Sequence, residues 1–418
     1  MPIDLDLYLG GVHAGTITHR SSTAGPQPEL TYTERWLNTT GAFPLSLSLP
    51  LQEAPHSEKR TRRYLESLLP ENSSTLADWQ RRYRGMDTTD TTSVLAVLGE
   101  DVAGAAQFVP AGRSPDTSRN RILLTEHEVG KILADLRRYR GAMPHVTQAP
   151  RISLAGQQAK IGLYYDETGW WLPHGDHPST HILKPSAEEL SDVDINEAAM
   201  LRAASVLGIR TRQSTVHTLG GQRVFITQRY DRQRDPNGMI QRIHQEDFTQ
   251  ALGYRPQAKY QKDNGPALQH IIPFLRKHLT NPEEELDQFN RLLAFNVAIS
   301  NADAHAKNHS ILITPTERRL APAYDLLSVA AYPAYSQELA LSVGRQYQPR
   351  LVQEADWIYY ARKTHQDPDR VLSIVMSVWS HAPDAVADAL AYFGSPPGMC
   401  DIITETVEST LTRLPRLP

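Results

Sequence analysis

Residues 299–308 read Ile299-Ser300-Asn301-Ala302-Asp303-Ala304-His305-Ala306-Lys307-Asn308, and they decide how the rest of the chain is understood. A helical pattern over 283–300 leads into them and an apolar strand pattern at 309–314 follows. Asp303 and Asn308 therefore fall on a loop, five residues apart. A second loop carboxylate, Asp325 in Pro322-Ala323-Tyr324-Asp325, comes 22 residues after Asp303. Phosphoryl transfer needs such a set. One carboxylate orients and deprotonates the attacking hydroxyl, while an amide oxygen and another carboxylate hold Mg2+ against the phosphates. On this reading Asp303 is the base, and Asn308 and Asp325 are the metal ligands. Protein kinases carry the three in the same order at similar spacing. An Asp-x4-Asn pair alone serves a turn more often than a reaction, and Asp325 brings the two readings level. His305 is read as positioning the loop or touching phosphate.

Three upstream segments fit the same chemistry. Ser153-Leu154-Ala155-Gly156-Gln157-Gln158-Ala159-Lys160 is a small-residue loop whose N–H groups could face phosphate, or a plain hairpin turn. Thr180-His181-Ile182-Leu183-Lys184 is a strand pattern ending in a lysine that could pair with phosphates or lie at the surface. Glu197, on the next helix pattern, is a possible ion partner for Lys184. Gln228-Arg229-Tyr230-Asp231-Arg232 closes the strand-rich part, where a kinase hinge would present backbone to adenine. Asp231 could accept a bond from the ribose there, or the segment is a strand with a charged turn.

The remaining chain supplies the frame. Residues 4–19 predict a hairpin turning at Gly10-Gly11, and Leu30–Leu37 and Leu45–Leu49 predict further strands. Helices are expected at 61–69, 75–84 and 125–139, the last capped by Thr125 with Glu128 at the capping-box position. Gly141 to Pro150 marks a domain boundary. Strands follow at 160–165, 169–173, 180–184 and 222–230, with a helix over 195–207 stopped by Gly208. From Asp247 the pattern is mostly helical: 247–252, 266–278, 283–300, 354–363, 368–379 and 383–393. The fold class is therefore α+β, a strand-rich lobe followed by a helical lobe.

Composition bounds the function. In 418 residues, 43 basic side chains face 47 acidic ones, which argues against a basic surface over the whole protein. A single cysteine, Cys400, permits no internal disulfide. No secretory leader and no apolar run of about 20 residues is apparent, so a cytoplasmic protein without a membrane span is expected. There is no His-Glu-x-x-His motif, no Gly-x-Ser-x-Gly elbow and no Walker lysine motif.

At these residues the chain resembles the HipA family of toxin kinases, over most of its length. The matching stretches are Leu45-Ser46-Leu47-Ser48-Leu49-Pro50-Leu51, Leu68-Leu69-Pro70-Glu71 and Gly99-Glu100-Asp101-Val102-Ala103-Gly104-Ala105. They continue with Arg151-Ile152-Ser153-Leu154-Ala155-Gly156, Thr180 to Lys184, Asn196-Glu197 and Gln245-Glu246-Asp247-Phe248. Ala251-Leu252-Gly253, Lys259-Tyr260, Asn301 to Asn308 and Tyr324-Asp325-Leu326-Leu327-Ser328 complete the set.

The resemblance implies a two-lobed protein-kinase-like fold with an N-terminal α/β extension domain. Residues 1–148 would form that domain, 149–235 the ATP-binding lobe and 236–418 the catalytic lobe. It implies ATP and Mg2+ as cofactors, with Asp303 as base and Asn308 and Asp325 on the metal. Ala155, Gly156, Gln157, Gln158, Ala159 and Lys160 would form the phosphate loop. Lys184, His305, Lys307 and Tyr324 would contribute to the nucleotide site, and Gln228, Arg229, Tyr230 and Asp231 would form the hinge. Ser153 falls on the family's inactivating autophosphorylation site; a phosphate there adds about −1.5 to −2 charges where the ATP phosphates must sit. Family targets include aminoacyl-tRNA synthetases, notably the glutamyl enzyme. The usual partner is a helix-turn-helix antitoxin, HipB, through which operator DNA is bound. Ala159 replaces the family's acidic residue. That departure leans toward a catalytically weak co-repressor; a small-molecule kinase of the same fold is the other alternative.

Overall fold

The N-terminal hairpin sets the first sheet. Strands β1 (Leu5–Leu9) and β2 (Val12–Arg20) pair antiparallel across Gly10 and Gly11. Both glycines have positive φ, 57° and 78°, as a two-residue turn between twisted strands requires. Leu5, Leu7 and Leu9 are fully buried, in keeping with their alternation. The computed structural model describes residues 3–20, 27–118, 121–143, 145, 153–174, 177–187 and 190–411. Arg151 and Ile152, and most of the expected boundary at 144–150, lie outside the described residues.

The elements continue with β3 (Gln27–Tyr32), α1 (Glu34–Leu37), α2 (Glu58–Glu66), α3 (Ser73–Arg82), α4 (Thr91–Leu98) and β4 (Ala106–Pro110). Next come β5 (Ile122–Leu124), α5 (Glu126–Arg138), β6 (Ile161–Asp166), β7 (Gly169–Leu172), β8 (His181–Pro185) and α6 (Val193–Val206). Then follow β9 (Ser214–Leu219), β10 (Gln222–Gln228), β11 (Arg232–Arg234), β12 (Ile240–Arg242), β13 (His244–Asp247) and α7 (Phe248–Ala251). The chain closes with α8 (Leu268–His278), α9 (Pro282–Ala298), β14 (Ser310–Ile313), β15 (Arg318–Leu320), α10 (Glu354–Lys363), α11 (Pro368–Tyr392) and α12 (Pro397–Leu411).

Two compact units result. The first takes residues 1–189, 217–246 and 312–316; the second takes 190–216, 247–311 and 317–418. In the first, one sheet runs β3-β2-β1-β4 and another runs β5-β7-β6-β8-β10-β9. Helix α5 lays Val129, Ile132, Leu133 and Leu136 against Ile161, Leu163, Leu183 and Val224 of that second sheet. The expected Thr125 cap is present, with Glu128 closing the capping box. The second unit is helical: α11 packs on α6, α9 and α10, and the Trp379 indole donates to the Ala294 carbonyl at 2.8 Å. The class is α+β, as the sequence predicts.

Three expected elements differ. The strand expected at Leu30–Leu37 ends at Tyr32, because the Thr33 hydroxyl accepts from the Trp36 N–H and starts α1. Leu45–Leu49 is not a strand. The Glu246 carboxylate accepts from the Ser46 hydroxyl at 2.5 Å and the Leu47 N–H at 2.9 Å, folding the stretch into a turn with a Ser46–Leu49 bridge. The two helices expected at 368–379 and 383–393 are one, α11, running through Pro383. An interior proline costs about 3 kcal/mol, and α11 offsets it with a continuous buried face that includes Val375, Trp379, Ala382, Val386 and Leu390.

Candidate active site

Helix α9 delivers the loop that carries Asp303. Three glutamates, Glu283 to Glu285, occupy its positive N-terminal turn after Pro282 at the first position. At its other end Ser300 takes a left-handed φ of 51° and turns the chain out. The Asn301 amide bridges the turn: its nitrogen donates to Asn296 Oδ1 at 3.0 Å and its oxygen accepts from the Asp303 N–H at 3.2 Å. The Asp303 carbonyl then accepts from the His305 N–H at 2.7 Å and from Asn308 Nδ2 at 2.8 Å. A short 3-10 turn over Ala306–Asn308 places Asn308.

This order leaves the Asp303 side chain 46% exposed, so a substrate hydroxyl can reach it. Its Oδ1 accepts from the Tyr260 hydroxyl at 2.5 Å. His305 is buried, and its pKa is pushed down to about 3, chiefly by burial and then by the Lys259 charge; Asp325 opposes the shift. A ring held neutral so firmly is a poor general base. His305 Nδ1 is buried, with no hydrogen-bond partner from another of the described residues.

The segment of Asp325 is clamped from behind. The Asn196 amide, on α6, donates to the Ser328 carbonyl at 3.0 Å and accepts from the Ser328 N–H at 2.9 Å. The Val329 N–H reaches the Ser300 carbonyl at 3.3 Å. Asp325 itself is half-buried in a left-handed φ of 54°. An amide oxygen and a carboxylate are hard donors suited to Mg2+, which takes few protein ligands and fills its shell with phosphates and water. The nitrogen of the Asn308 amide is committed to the Asp303 carbonyl, which leaves its oxygen as the end that could ligate a cation. Among the described residues no cluster of three or more His, Cys, Asp or Glu is arranged for a metal.

Lys307 and Tyr324 make bonds around the same loop. The buried Lys307 ammonium lies 3.0 Å from Asp247 Oδ2, and Asp247 also caps α7. The Tyr324 hydroxyl donates to the Lys307 carbonyl at 2.8 Å and meets Ser310 Oγ at 2.7 Å. Both side chains brace the loop through these bonds.

In the first unit, the expected phosphate loop is docked on residues 68–72. Ser153 is fully buried, and its hydroxyl donates to the Leu68 carbonyl at 2.8 Å. The Glu71 N–H donates to the Gly156 carbonyl at 3.2 Å, and Asn72 Nδ2 donates to that of Gln157 at 3.2 Å. Gly156 has a φ of +112°, and a Cβ there would meet Lys160 Nζ at 2.6 Å. Lys160 folds back to donate to the Ala155 carbonyl at 3.0 Å. Ala159 packs against the apolar core under α5, so an uncharged residue suits that position. Gln158 is partly exposed. Lys184 is buried on β8, its ammonium 5.4 Å from the Phe225 ring centroid. Glu197 is buried on α6 in the second unit.

The hinge segment requires a correction. Asp231 is buried and does not present its carboxylate to a ribose. It accepts from Arg229 Nε at 2.9 Å, Arg229 Nη2 at 2.7 Å and the Gly104 N–H at 2.7 Å, with Arg232 Nη1 at 3.0 Å. Arg232 also donates to Asp101 at 2.8 Å, and Asp101 accepts from the Ser179 N–H. The Arg229 and Arg232 charges hold the Asp231 carboxyl far below the usual range against the cost of burial. Arg229 is likewise committed, donating also to Ser179 Oγ and the Val102 carbonyl. Gln228 is exposed and Tyr230 partly so, its hydroxyl donating to Gln245 at 2.6 Å.

Sequence reasoning missed Tyr260, Asp247 and Asp101 as parts of these constellations. Each lies within a quoted matching stretch, but no spacing rule joins it to its partner.

Comparisons with known proteins follow this geometry. Two family models match the chain: the HipA N-terminal domain over residues 5–109 and the HipA-like C-terminal domain over 152–386. "Putative kinase Y4mE" of Sinorhizobium fredii is 34% identical over 86% of this chain and 85% of its own length. The serine/threonine-protein kinase toxin HipA of Shewanella oneidensis is 27% identical over 93% of this chain and 89% of its own. Among solved structures, the S. oneidensis HipA, HipB and operator DNA complex matches with a TM-score of 0.82 at 25% identity. That match covers 98% of this chain and 96% of the other. The α+β, protein-kinase-like fold expected from the sequence stands.

Proposed function

Because the chain belongs to the HipA family of kinase toxins, we propose that it transfers the γ-phosphate of ATP to a serine or threonine hydroxyl of a protein. The observation that carries the reading is the Asp303 loop. A half-exposed carboxylate sits on a loop whose backbone is fixed by the Asn308 amide nitrogen, which donates to the Asp303 carbonyl. Asp303 orients the acceptor hydroxyl and takes its proton as the hydroxyl oxygen bonds to the γ-phosphorus and the bond from that phosphorus to the bridging oxygen breaks, releasing ADP. Asn308 and Asp325 would hold Mg2+, which neutralises charge on the phosphate oxygens when bound. The backbone N–H groups of residues 155–160 and the Lys184 ammonium supply the remaining positive field for ATP, and the 228–230 backbone takes the adenine.

Further parts of the proposal follow from the family. The protein target is an aminoacyl-tRNA synthetase such as the glutamyl enzyme, and Ser153 is phosphorylated in turn. The partner is a HipB-like antitoxin that brings operator DNA, and the location is the cytoplasm. No helix among the described residues is long and apolar enough to cross a membrane.

The experiment is incubation of the purified chain with Mg2+, labelled ATP and a bacterial lysate, followed by phosphopeptide mapping. Label on serine or threonine of one translation protein and on Ser153 is expected. Label on neither the chain nor any lysate protein defeats the proposal. A co-repressor reading is favoured instead if operator binding by the antitoxin needs this chain while no transfer occurs.

A further inference from the structure

We infer that Tyr260 is a positioning residue for phosphoryl transfer: its phenol holds one oxygen of the Asp303 carboxylate and turns the other toward the acceptor hydroxyl. The inference rests on the proposed role of Asp303 as base.

The Tyr260 hydroxyl lies 2.5 Å from Asp303 Oδ1. His305 Nε2 lies 3.8 Å from the same oxygen, beyond hydrogen-bonding range, so the phenol and not the imidazole makes the bond there. The terminal torsion of an aspartate is broad and roughly two-fold. A carboxylate 46% exposed would therefore turn through several orientations unless one oxygen were fixed.

Tyr260 is built to do this. Its ring stands edge-on to the buried His305 ring, at 4.9 Å and 88°. The residue before it, Lys259, accepts from the Ala306 N–H at 3.1 Å, which ties the segment to the catalytic loop itself. The residue after it, Gln261, makes two side-chain bonds with Ser342, at 2.9 and 3.0 Å, and a main-chain bond to the Ala340 carbonyl at 3.2 Å. The Tyr260 carbonyl accepts from the Gly265 N–H at 2.9 Å. The phenol is thus delivered from a backbone fixed on both sides.

The choice of a phenol has a chemical reason. A lysine or arginine at this distance would also fix the oxygen, but its charge would hold the carboxylate ionised and make it a weaker base. A neutral donor gives the orientation with less of that penalty. The distance between the carboxylate and the hydroxyl it must meet is then set by the scaffold, where a displacement of about 1 Å can cost about 100-fold in rate.

The test compares wild type, Tyr260→Phe, Tyr260→Leu and Asp303→Ala in steady-state transfer of labelled phosphate, with melting curves for each. Tyr260→Phe keeps the ring against His305 and removes only the hydroxyl. We expect its kcat to fall about 10- to 100-fold, with the KM for ATP within about twofold of wild type and melting unchanged. Tyr260→Leu should lose a similar factor in kcat. Three results overturn the inference alone, given an active wild type and an inactive Asp303→Ala. These are a Tyr260→Phe kcat equal to wild type, a loss carried by KM with kcat unchanged, and a Tyr260→Phe chain that melts far below wild type. No transfer by wild type overturns the reading of Asp303 and this inference with it.

Discussion

Asn308 donates its side-chain amide to the main-chain carbonyl of Asp303 at 2.8 Å. The residue given to the metal thereby also sets the backbone of the residue given to the base. Asn308→Ala removes both services. Transfer is expected to fall by about 100-fold or more, with a higher Mg2+ concentration needed for half the maximal rate. A Mg2+ titration of labelled-phosphate transfer reads both. An unchanged Mg2+ requirement would separate Asn308 from the metal.

The Asp101, Arg229, Asp231 and Arg232 cluster is buried throughout. Removing one member leaves an uncompensated charge out of water. Asp231→Ala is expected to cost about 3–5 kcal/mol, measured as a shift in the urea midpoint. A ribose-binding residue at the surface would instead raise the KM for ATP and leave stability alone.

Acid should destabilise the chain well above the carboxylate range. His244 is fully buried, and burial lowers its pKa from 6.5 to about 4; burial does the same to His309. His244 Nε2 lies 2.8 Å from the Leu45 carbonyl, and its Nδ1 accepts from the Ala105 N–H at 3.4 Å, so a second ring proton has no acceptor. Below 6.5 the unfolded chain binds protons that the folded chain refuses, so stability is full above that value and falls as pH drops toward 4. The slope is about 1.4 kcal/mol per pH unit for each of the two histidines. Denaturant melts at several pH values between neutrality and mild acid check it, and His244→Gln should flatten the curve. Asp101 and Asp231, whose folded pKa values are depressed, add their loss only at lower pH.

Ser153 has no room for a phosphate where it stands. It is fully buried with its hydroxyl on the Leu68 carbonyl. Ser153→Asp should therefore release residues 153–158 from 68–72, seen as faster amide exchange at Glu71, whose N–H donates to Gly156. ATP binding should weaken with it. Ser153→Ala loses one hydrogen bond, worth about 1 kcal/mol, and keeps transfer activity. Equal exchange at Glu71 in the two variants would show that the loop does not move.

Local signals read well from the sequence. Thr125 and Glu128 announced α5 because a capping box is complete within four residues. The Gly10-Gly11 turn and the leucines before it fixed the first hairpin in the same way. The spacing of Asp303 and Asn308 put both on one loop, where the Asn308 amide does reach the Asp303 carbonyl. What escaped depends on residues far apart in the chain. Leu45–Leu49 alternates like a strand, yet Glu246, about 200 residues on, takes its polar groups into a turn. Asp231 was given to a ribose because nothing nearby reveals Asp101 or Gly104 as its neighbours. The helix expected to begin at 383 is continuous with the one before it, because the cost of Pro383 is local while the packing that offsets it is tertiary.

Phosphoryl transfer by Asp303→Ala, set against its melting curve, tests the central claim most directly. The account predicts labelled-phosphate transfer reduced about 100- to 10,000-fold, with the melting transition near that of wild type because the side chain is half exposed on a loop. Transfer at the wild-type rate by a folded Asp303→Ala chain would contradict it.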